Sequence, residues 1–221
     1  MALLLLVFFI ILLILRVPIV IALGLSTIVY MLLFMVVSVI LVAQQMISTV
    51  NTFSLLAIPF FIVAGGLMEA GGISKKIINF ANAAVGFLPG GLALVMVVSS
   101  MIFASMSGSG VATAAALGSI LIPAMVRSGY DVHFSSALQA TSGILGPLIP
   151  PSILAVLYAV GVGVSVGNLL LAGLVPGLLM TACIMVITVV ISIKRGYKSE
   201  ASFDFQRFKK AFIEAIWALL L

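Results

Sequence analysis

Long apolar runs constrain this chain more than any other feature. A helix needs about 20 predominantly apolar residues to cross a hydrocarbon core of roughly 30 Å. Residues 17–43, 54–70 with their flanks, and 168–193 reach that length. Of the 221 residues, 64% are hydrophobic and only 7% are charged, against about 25% charged in a soluble globular domain. The fold class that follows is an all-α integral membrane protein. Residues 2–15 are also apolar, and the run continues past Arg16 with neither a basic start nor a small-residue cleavage site. It therefore reads as membrane helix rather than as a cleaved signal.

Charge and composition then exclude several classes of function. The net charge of +5 sits in short breaks between apolar runs, where membrane topology accounts for it. The lipid bilayer is thus the expected partner, and nucleic acid is not. Cys183 is the single cysteine, which rules out an internal disulfide and C-x-x-C metal spacing; it is expected to pack inside an apolar helix. A single histidine, His133, rules out clustered His ligation. No phosphate-binding loop signature occurs, so transport by this chain is driven by a gradient or powered by another chain.

The chain divides at its polar and Gly/Pro positions. Arg16 and Pro18 split residues 1–46 into two short spans or one kinked element. Gln44 to Asn51 reads as a polar break. The span 54–70 contains Pro59 and ends at Gly71-Gly72, after which Ser74 reads as the N-cap of an amphipathic interfacial helix carrying Lys75, Lys76, Asn79 and Asn82. Pro89-Gly90-Gly91 breaks the chain again. Two arms, about 92–104 and 111–126, meet at Ser105-Met106-Ser107-Gly108-Ser109-Gly110. Each is short for a full span at roughly 1.5 Å per residue, so the pair reads as a re-entrant hairpin over about 92–126. Residues 134–163 form a transmembrane helix broken at Gly146-Pro147-Leu148-Ile149-Pro150-Pro151-Ser152, because prolines at that density cannot continue a helix. A long helix follows over 168–193, then a polar segment 194–210. An amphipathic arm lies around 203–212, and a new apolar run starts at Ala211. Trp217 and Tyr197 read as interfacial anchors, and Glu69 as a solvated residue at the end of its span or a polar contact within the scaffold. With 194–210 placed in the cytoplasm, 92–126 a hairpin or two full spans, and residues 1–43 forming two spans, all ten basic residues fall on the inner side and the N-terminus lies outside.

Chemistry concentrates at the two breaks. Non-helical backbone at membrane depth persists only where it is buried in protein or lines a wet cavity. Unwound backbone presents carbonyl oxygens to a hard cation such as Na⁺, and the freed amides of a following half-helix attract an anion. Ser105, Ser107, Ser109, Thr113, Thr141, Ser142 and Ser152 add hydroxyls at the same places. Gly108, Gly110, Gly143 and Gly146 let the breaks approach closely, and Pro147 and Pro150 hold the second one open. Gly108-Ser109-Gly110 with His133 also matches the parts of an intramembrane serine protease. His133 lies in a charged turn beside Asp131, however, away from the hairpin tip, and a nucleophile needs its base within hydrogen-bond reach. No catalytic residue is assigned.

Several segments resemble the large membrane subunit of tripartite ATP-independent periplasmic (TRAP) transporters. They are Leu55-Leu56-Ala57-Ile58-Pro59-Phe60-Phe61 with Ala64-Gly65, Ser107 through Ala115, Gly146 through Ser152, Arg16-Val17-Pro18, and Ala22-Leu23-Gly24. They occur in family order and span essentially the whole chain. One departure is Gly66, where the family often carries Glu. The resemblance implies an elevator fold of the ion transporter superfamily, with this chain as the first of two inverted repeats plus the start of the second scaffold. Residues 1–53 are then scaffold helices, 54–163 half of the transport domain, 164–193 a scaffold helix, and 194–221 a cytoplasmic basic loop, arm helix and next span. The implied activity is Na⁺-driven uptake of an organic anion, such as a dicarboxylate or sialic acid, across the bacterial inner membrane. The implied partners are a periplasmic substrate-binding protein and a small four-helix membrane subunit. Carried over residue by residue, the cation is held by Ser107, Gly108, Ser109, Gly146 and Pro150. The rival readings are an anion:Na⁺ symporter of the same superfamily without a binding protein, and a membrane scaffold or receptor that does not transport.

Overall fold

The computed structural model describes residues 2–34, 40–51, 53–197, 199 and 204–219. Among them all regular structure is helical. The chain forms two compact units, Met1–Phe53 and Ser54–Leu221.

The first unit contains α1 (Ala2–Ile14), α2 (Ile19–Phe34) and α3 (Ile40–Val50). Arg16 takes a left-handed conformation at φ 60°, and the amide of Val17 returns to the carbonyl of Leu12 at 3.1 Å. This closes the end of α1. Pro18 cannot continue that helix, but its carbonyl accepts from Ala22 at 2.9 Å and so starts α2. The Arg16–Pro18 interruption therefore makes two helices, which pack on each other. Gln44 to Val50 is helical rather than a break, and only Asn51 forms a turn. Nothing in that stretch is Gly or Pro, so its polar side chains do not oppose a helix.

The second unit holds α4 (Phe53–Ala70), α5 (Ile73–Val85), α6 (Gly91–Ser107), α7 (Gly110–Arg127), α8 (Val132–Gly143), the single turn α9 (Leu145–Leu148), α10 (Ile153–Val162), α11 (Val166–Lys194) and α12 (Phe205–Leu219). Helix α6 lies at its centre, packed against α5, α7, α8, α9 and α11. Four consecutive residues, Leu94 to Val97, are fully buried, so α6 is enclosed on every side, as expected of a helix that is apolar all round. By contrast, α11 leaves Leu171, Val175, Leu179 and Val186 largely exposed. A continuous apolar surface of this kind is solvated by a bilayer and not by water. Cys183 lies within the apolar helix α11, as expected, with its side chain on the exposed face.

Helices α7 and α11 are long and apolar enough to cross a membrane, and α8–α9 with α10 do so as a pair bent by 43°. The 18 residues of α7 extend roughly 27 Å. That arm is therefore longer than the sequence implied, and arm length does not separate a hairpin from two spans. Helix α5 starts at Ile73 after Gly72, which is at φ 73°. Ser74 is inside the helix and buried, with no hydrogen-bond partner for its hydroxyl; it does not cap it. Helix α12 runs unbroken through Ala211. Phe208 and Phe212 stand 5.7 and 5.9 Å from Phe80 of α5, and Ala211 and Ala215 are buried. Packing against α5 thus overrides the boundary expected at Ala211. The side chains of Glu69 and Trp217 lie outside the described residues.

Tyr197, just past α11, ties three segments together. Its ring lies 4.2 Å from Tyr130 and 5.7 Å from Phe134, its hydroxyl accepts from the Asp131 amide at 3.1 Å, and its carbonyl accepts from the Gly90 amide at 3.2 Å. Its ring packs between segments that end beside the charged pair Arg195 and Asp131. Tyr197 first, with Asp131 after it, raises the Arg195 guanidinium above its ordinary value, and Arg195 lies 3.7 Å from Asp131. Loss of the ring in Tyr197→Ala is expected to cost about 2 kcal/mol, and loss of the hydroxyl alone in Tyr197→Phe about 1 kcal/mol. Thermal unfolding of the purified protein in detergent measures both, and equal effects would contradict the stacking role.

Candidate functional site

The two breaks differ in how they form. At the first, α6 stops at Ser107 because Gly108 adopts φ 60°, a conformation that Cβ-bearing residues rarely take. Ser109 then caps α7, its hydroxyl accepting from the Ala112 amide at 3.3 Å. At the second, α8 gives way to the turn α9, and Ile149 to Ser152 leave the helix. Ser152 caps α10 by accepting from Ala155 at 3.1 Å and donates to the Pro147 carbonyl at 2.6 Å. Each break therefore has a helix C-terminus on one side and a helix N-terminus on the other. Partial negative charge on the last carbonyls faces partial positive charge on the first amides.

The breaks meet backbone to backbone. A Cβ placed on Gly146 would lie 2.5 Å from the Gly110 nitrogen and 2.7 Å from the Ser109 carbonyl carbon. One on Gly110 would lie 2.5 Å from the Gly143 carbonyl oxygen, and one on Gly108 would lie 2.6 Å from the Pro151 carbonyl oxygen. No side chain fits between these segments. The tip 107–110 is thus held between Gly143–Pro147 on one side and Pro151–Ile153 on the other.

A hydroxyl network knits the first break. Thr113 donates to the Ser109 carbonyl at 2.8 Å. The Ser107 and Thr113 hydroxyls lie 3.1 Å apart and either can donate, while the Ser107 hydroxyl also reaches the Ser109 carbonyl at 3.4 Å. Ser107 in turn accepts from the Ser109 amide at 3.4 Å. A cavity of about 330 Å³ opens beside this network, lined by Ser107, Ser109 and Ala112, by Gly65 and Gly66 of α4, and by Ile153. A larger concavity of about 680 Å³ in the first unit is lined by Thr27, Met31, Leu41 and Gln45 among others. Its described lining holds no ionisable group, and the two helix breaks rich in Gly, Ser and Pro lie elsewhere, so the candidate site is placed at those breaks.

Of the residues expected from sequence, the structure brings together Ser107, Gly108, Ser109, Gly110, Thr113, Gly143, Gly146, Pro147 and Ser152. Pro150 lies in the same unwound stretch. Ser142 is buried beside them, its hydroxyl without a partner among the described residues. Two others turn elsewhere. Ser105 donates to the Ile102 carbonyl at 2.7 Å, and Thr141 is exposed and donates to Ala137 at 2.8 Å. Sequence reasoning missed the α4 wall of the cavity and also Gln139, which is 3% exposed. No local signal in the sequence marks Gln139, because its hydrogen-bond partner Thr113 lies 26 residues away. At Gly66 an added Cβ would meet nothing within 4 Å, so a Glu there would have had room at the cavity wall.

The donor set is neutral oxygen, namely hydroxyls and carbonyls, and among the described residues no His, Cys, Asp or Glu cluster is present. Such oxygens suit a hard monovalent cation rather than a transition metal. His133 is exposed near the start of α8, about 15 Å along the helix from Gly143 at 1.5 Å per residue. It is not placed to activate Ser109.

Residues 6–221 match the family described as the tripartite ATP-independent periplasmic transporter, DctM component. The chain is 42% identical over 97% of its length to the isethionate TRAP transporter permease protein of Oleidesulfovibrio alaskensis, covering 34% of that protein. It is 42% identical over 90% of its length to the C4-dicarboxylate TRAP transporter large permease protein of Pseudomonas aeruginosa, covering 47% of it. It is 40% identical over 81% of its length to the sialic acid TRAP transporter large permease protein of Vibrio cholerae, covering 43% of it. The chain thus spans half or less of these relatives.

The backbone contact between the breaks predicts an asymmetry among glycines. Gly146→Ala forces Ser109–Gly110 away and is expected to destabilise by about 2–3 kcal/mol, the upper range for overpacking. Gly161→Ala in α10, where a Cβ meets nothing within 4 Å, is expected to be neutral or to stabilise by up to about 1 kcal/mol through helix propensity. Melting curves of the two variants decide it; a silent Gly146→Ala would contradict the close approach.

Proposed function

The chain belongs to the DctM family of TRAP transporter permeases, a family of transporters and not of enzymes, and from that premise we propose that it forms half of a Na⁺-coupled organic-anion permease. The observation that carries this reading is the backbone contact between two unwound segments lined with neutral oxygens. The carbonyls and hydroxyls of Ser107, Gly108, Ser109, Gly146 and Pro150 hold Na⁺. The cavity beside Ser107, Ser109 and Gly66 receives part of the substrate, and the N-termini of α7 and α10 supply positive potential for its carboxylate or sulfonate. The substrate class is a small organic anion, supported by the names of the relatives.

The permease works in the bacterial inner membrane with a periplasmic substrate-binding protein and a small membrane subunit, as the word tripartite in the family description supports. It works as an elevator, with α6–α10 in the moving element. Close packing argues that α11 moves with them rather than standing as scaffold. A Cβ on Gly173 would lie 2.7 Å from the Leu148 carbonyl oxygen, and one on Gly177 would lie 2.6 Å from the Ile149 side chain. The second repeat of the full-length protein completes the site.

Full-length permease in proteoliposomes, supplied with its binding protein, tests the reading by screening organic acids with and without a Na⁺ gradient. Ser107→Leu and Ser109→Leu are each expected to lower Na⁺-driven uptake at least tenfold, since loss of a hydrogen-bonding group facing a charge costs about 1.5–3 kcal/mol. Undiminished uptake by well-inserted variants would refute the cation site.

A further inference from the structure

Gln139 is a long polar side chain that crosses from one broken element to the other. It projects from the middle of α8, is 3% exposed, and donates from Nε2 to the carbonyl of Thr113 on α7 at 3.2 Å, a link between residues 26 apart in the chain. Thr113 belongs to the hydroxyl network: its hydroxyl donates to the Ser109 carbonyl at 2.8 Å and lies 3.1 Å from the Ser107 hydroxyl. Gly118 makes room for the link, since a Cβ there would lie 3.2 Å from Gln139 Cγ. Oε1 of Gln139 has no hydrogen-bond partner among the described residues, and neither has the Ser142 hydroxyl one turn further along α8.

We propose that Gln139 is a positioning residue for the cation site. It sets the height of the α7 N-terminus against α8, and so the separation of the Ser107–Gly110 tip from Gly143–Pro147. This inference rests on the cation reading given above. The physical argument is one of cost. Burying an amide whose carbonyl lacks a partner is unfavourable by about 1–3 kcal/mol, and an apolar side chain of the same length would fill that volume without the penalty. A buried amide with one bond made and one unmade is thus a poor stabiliser, whereas it fixes one register between α7 and α8. Register matters here because a cation is held by oxygens on both breaks, and displacing one set by a few tenths of an ångström weakens coordination while leaving the helices packed.

Full-length permease carrying Gln139→Met tests this, because Met keeps the length and apolar volume and removes the bond to Thr113. Two readouts are taken against NaCl with choline chloride as the control: Na⁺-dependent thermal stabilisation of the purified protein, and Na⁺-dependent uptake in proteoliposomes. The half-saturating Na⁺ concentration is expected to rise by about five- to tenfold in both, the size of one lost hydrogen bond between neutral groups. The melting temperature without Na⁺ and the uptake rate at saturating Na⁺ stay near those of the unsubstituted protein. Gly118→Ala, which pushes the Gln139 stem aside, shifts the same quantity in the same direction by less, and carries the test if Gln139→Met does not fold. If the Met variant responds to Na⁺ as the unsubstituted protein does, the positioning role is wrong. A lowered melting temperature without Na⁺ and an unchanged Na⁺ dependence would make Gln139 a packing residue and overturn it as well. If the unsubstituted protein shows no stabilisation by Na⁺, the cation reading itself fails and this inference falls with it.

Discussion

Backbone amides and carbonyls that leave a helix in an apolar setting must find partners within the protein, and in this chain the two places where that happens are pressed against each other. Gly108, Gly110, Gly143 and Gly146 sit where a Cβ would collide with, or press on, the main chain of the opposite break. Their lack of side chains is therefore what joins the first break to the second. The rest of the unit is arranged to keep the breaks in that contact. Helix α6 ends at one break, packs against α9 inside the other, and is buried over most of its length. Serine hydroxyls at positions 109 and 152 cap the helices that restart after each break.

The chemistry follows from that geometry. Two helix C-termini and two helix N-termini converge, so polar ends of both signs meet around neutral hydroxyls. No carboxylate among the candidate residues supplies a fixed negative charge. A site of that composition holds a weakly bound, exchangeable cation more readily than a structural metal. It can also place an anion near the amide ends of α7 and α10. Weak, reversible binding is what a coupled carrier requires and what a cofactor site avoids.

Away from the breaks, aromatic contacts hold the ends of the helices. Tyr197 rests on Tyr130 and Phe134 at the end of α11, and Phe80 bridges α5 to α12. Inside a bilayer, apolar surface drives association weakly, and close packing by small residues does more. Gly173 and Gly177 of α11, fitted against Leu148 and Ile149, follow that rule. They bind the long helix to the broken one.

Much of this was legible in the sequence, and the reason is that its strongest signals are local. Apolar runs name the solvent, Gly72, Gly90 and Gly108 mark helix ends because their conformations are left-handed, and the prolines at 147, 150 and 151 exclude continuous helix. Those signals placed the start of each break three residues early, since α6 continues to Ser107 and α9 to Leu148, and they put Ser109 and Ser152 at the caps of the helices that follow. What failed depended on neighbours distant in the chain. Ser74 looked like a cap but is buried inside α5, the polar stretch 44–50 stayed helical, and α12 ran through Ala211 because Phe80 lies against it. Gln139 carries no local signature, since a glutamine in a helix is ordinary until Thr113, 26 residues away, is seen beside it. The sequence by itself determined a membrane-dissolved helical chain interrupted at two polar points. Only the tertiary structure decided that the points touch, because contact between backbones is a property of packing and leaves in the sequence no more than the absence of side chains.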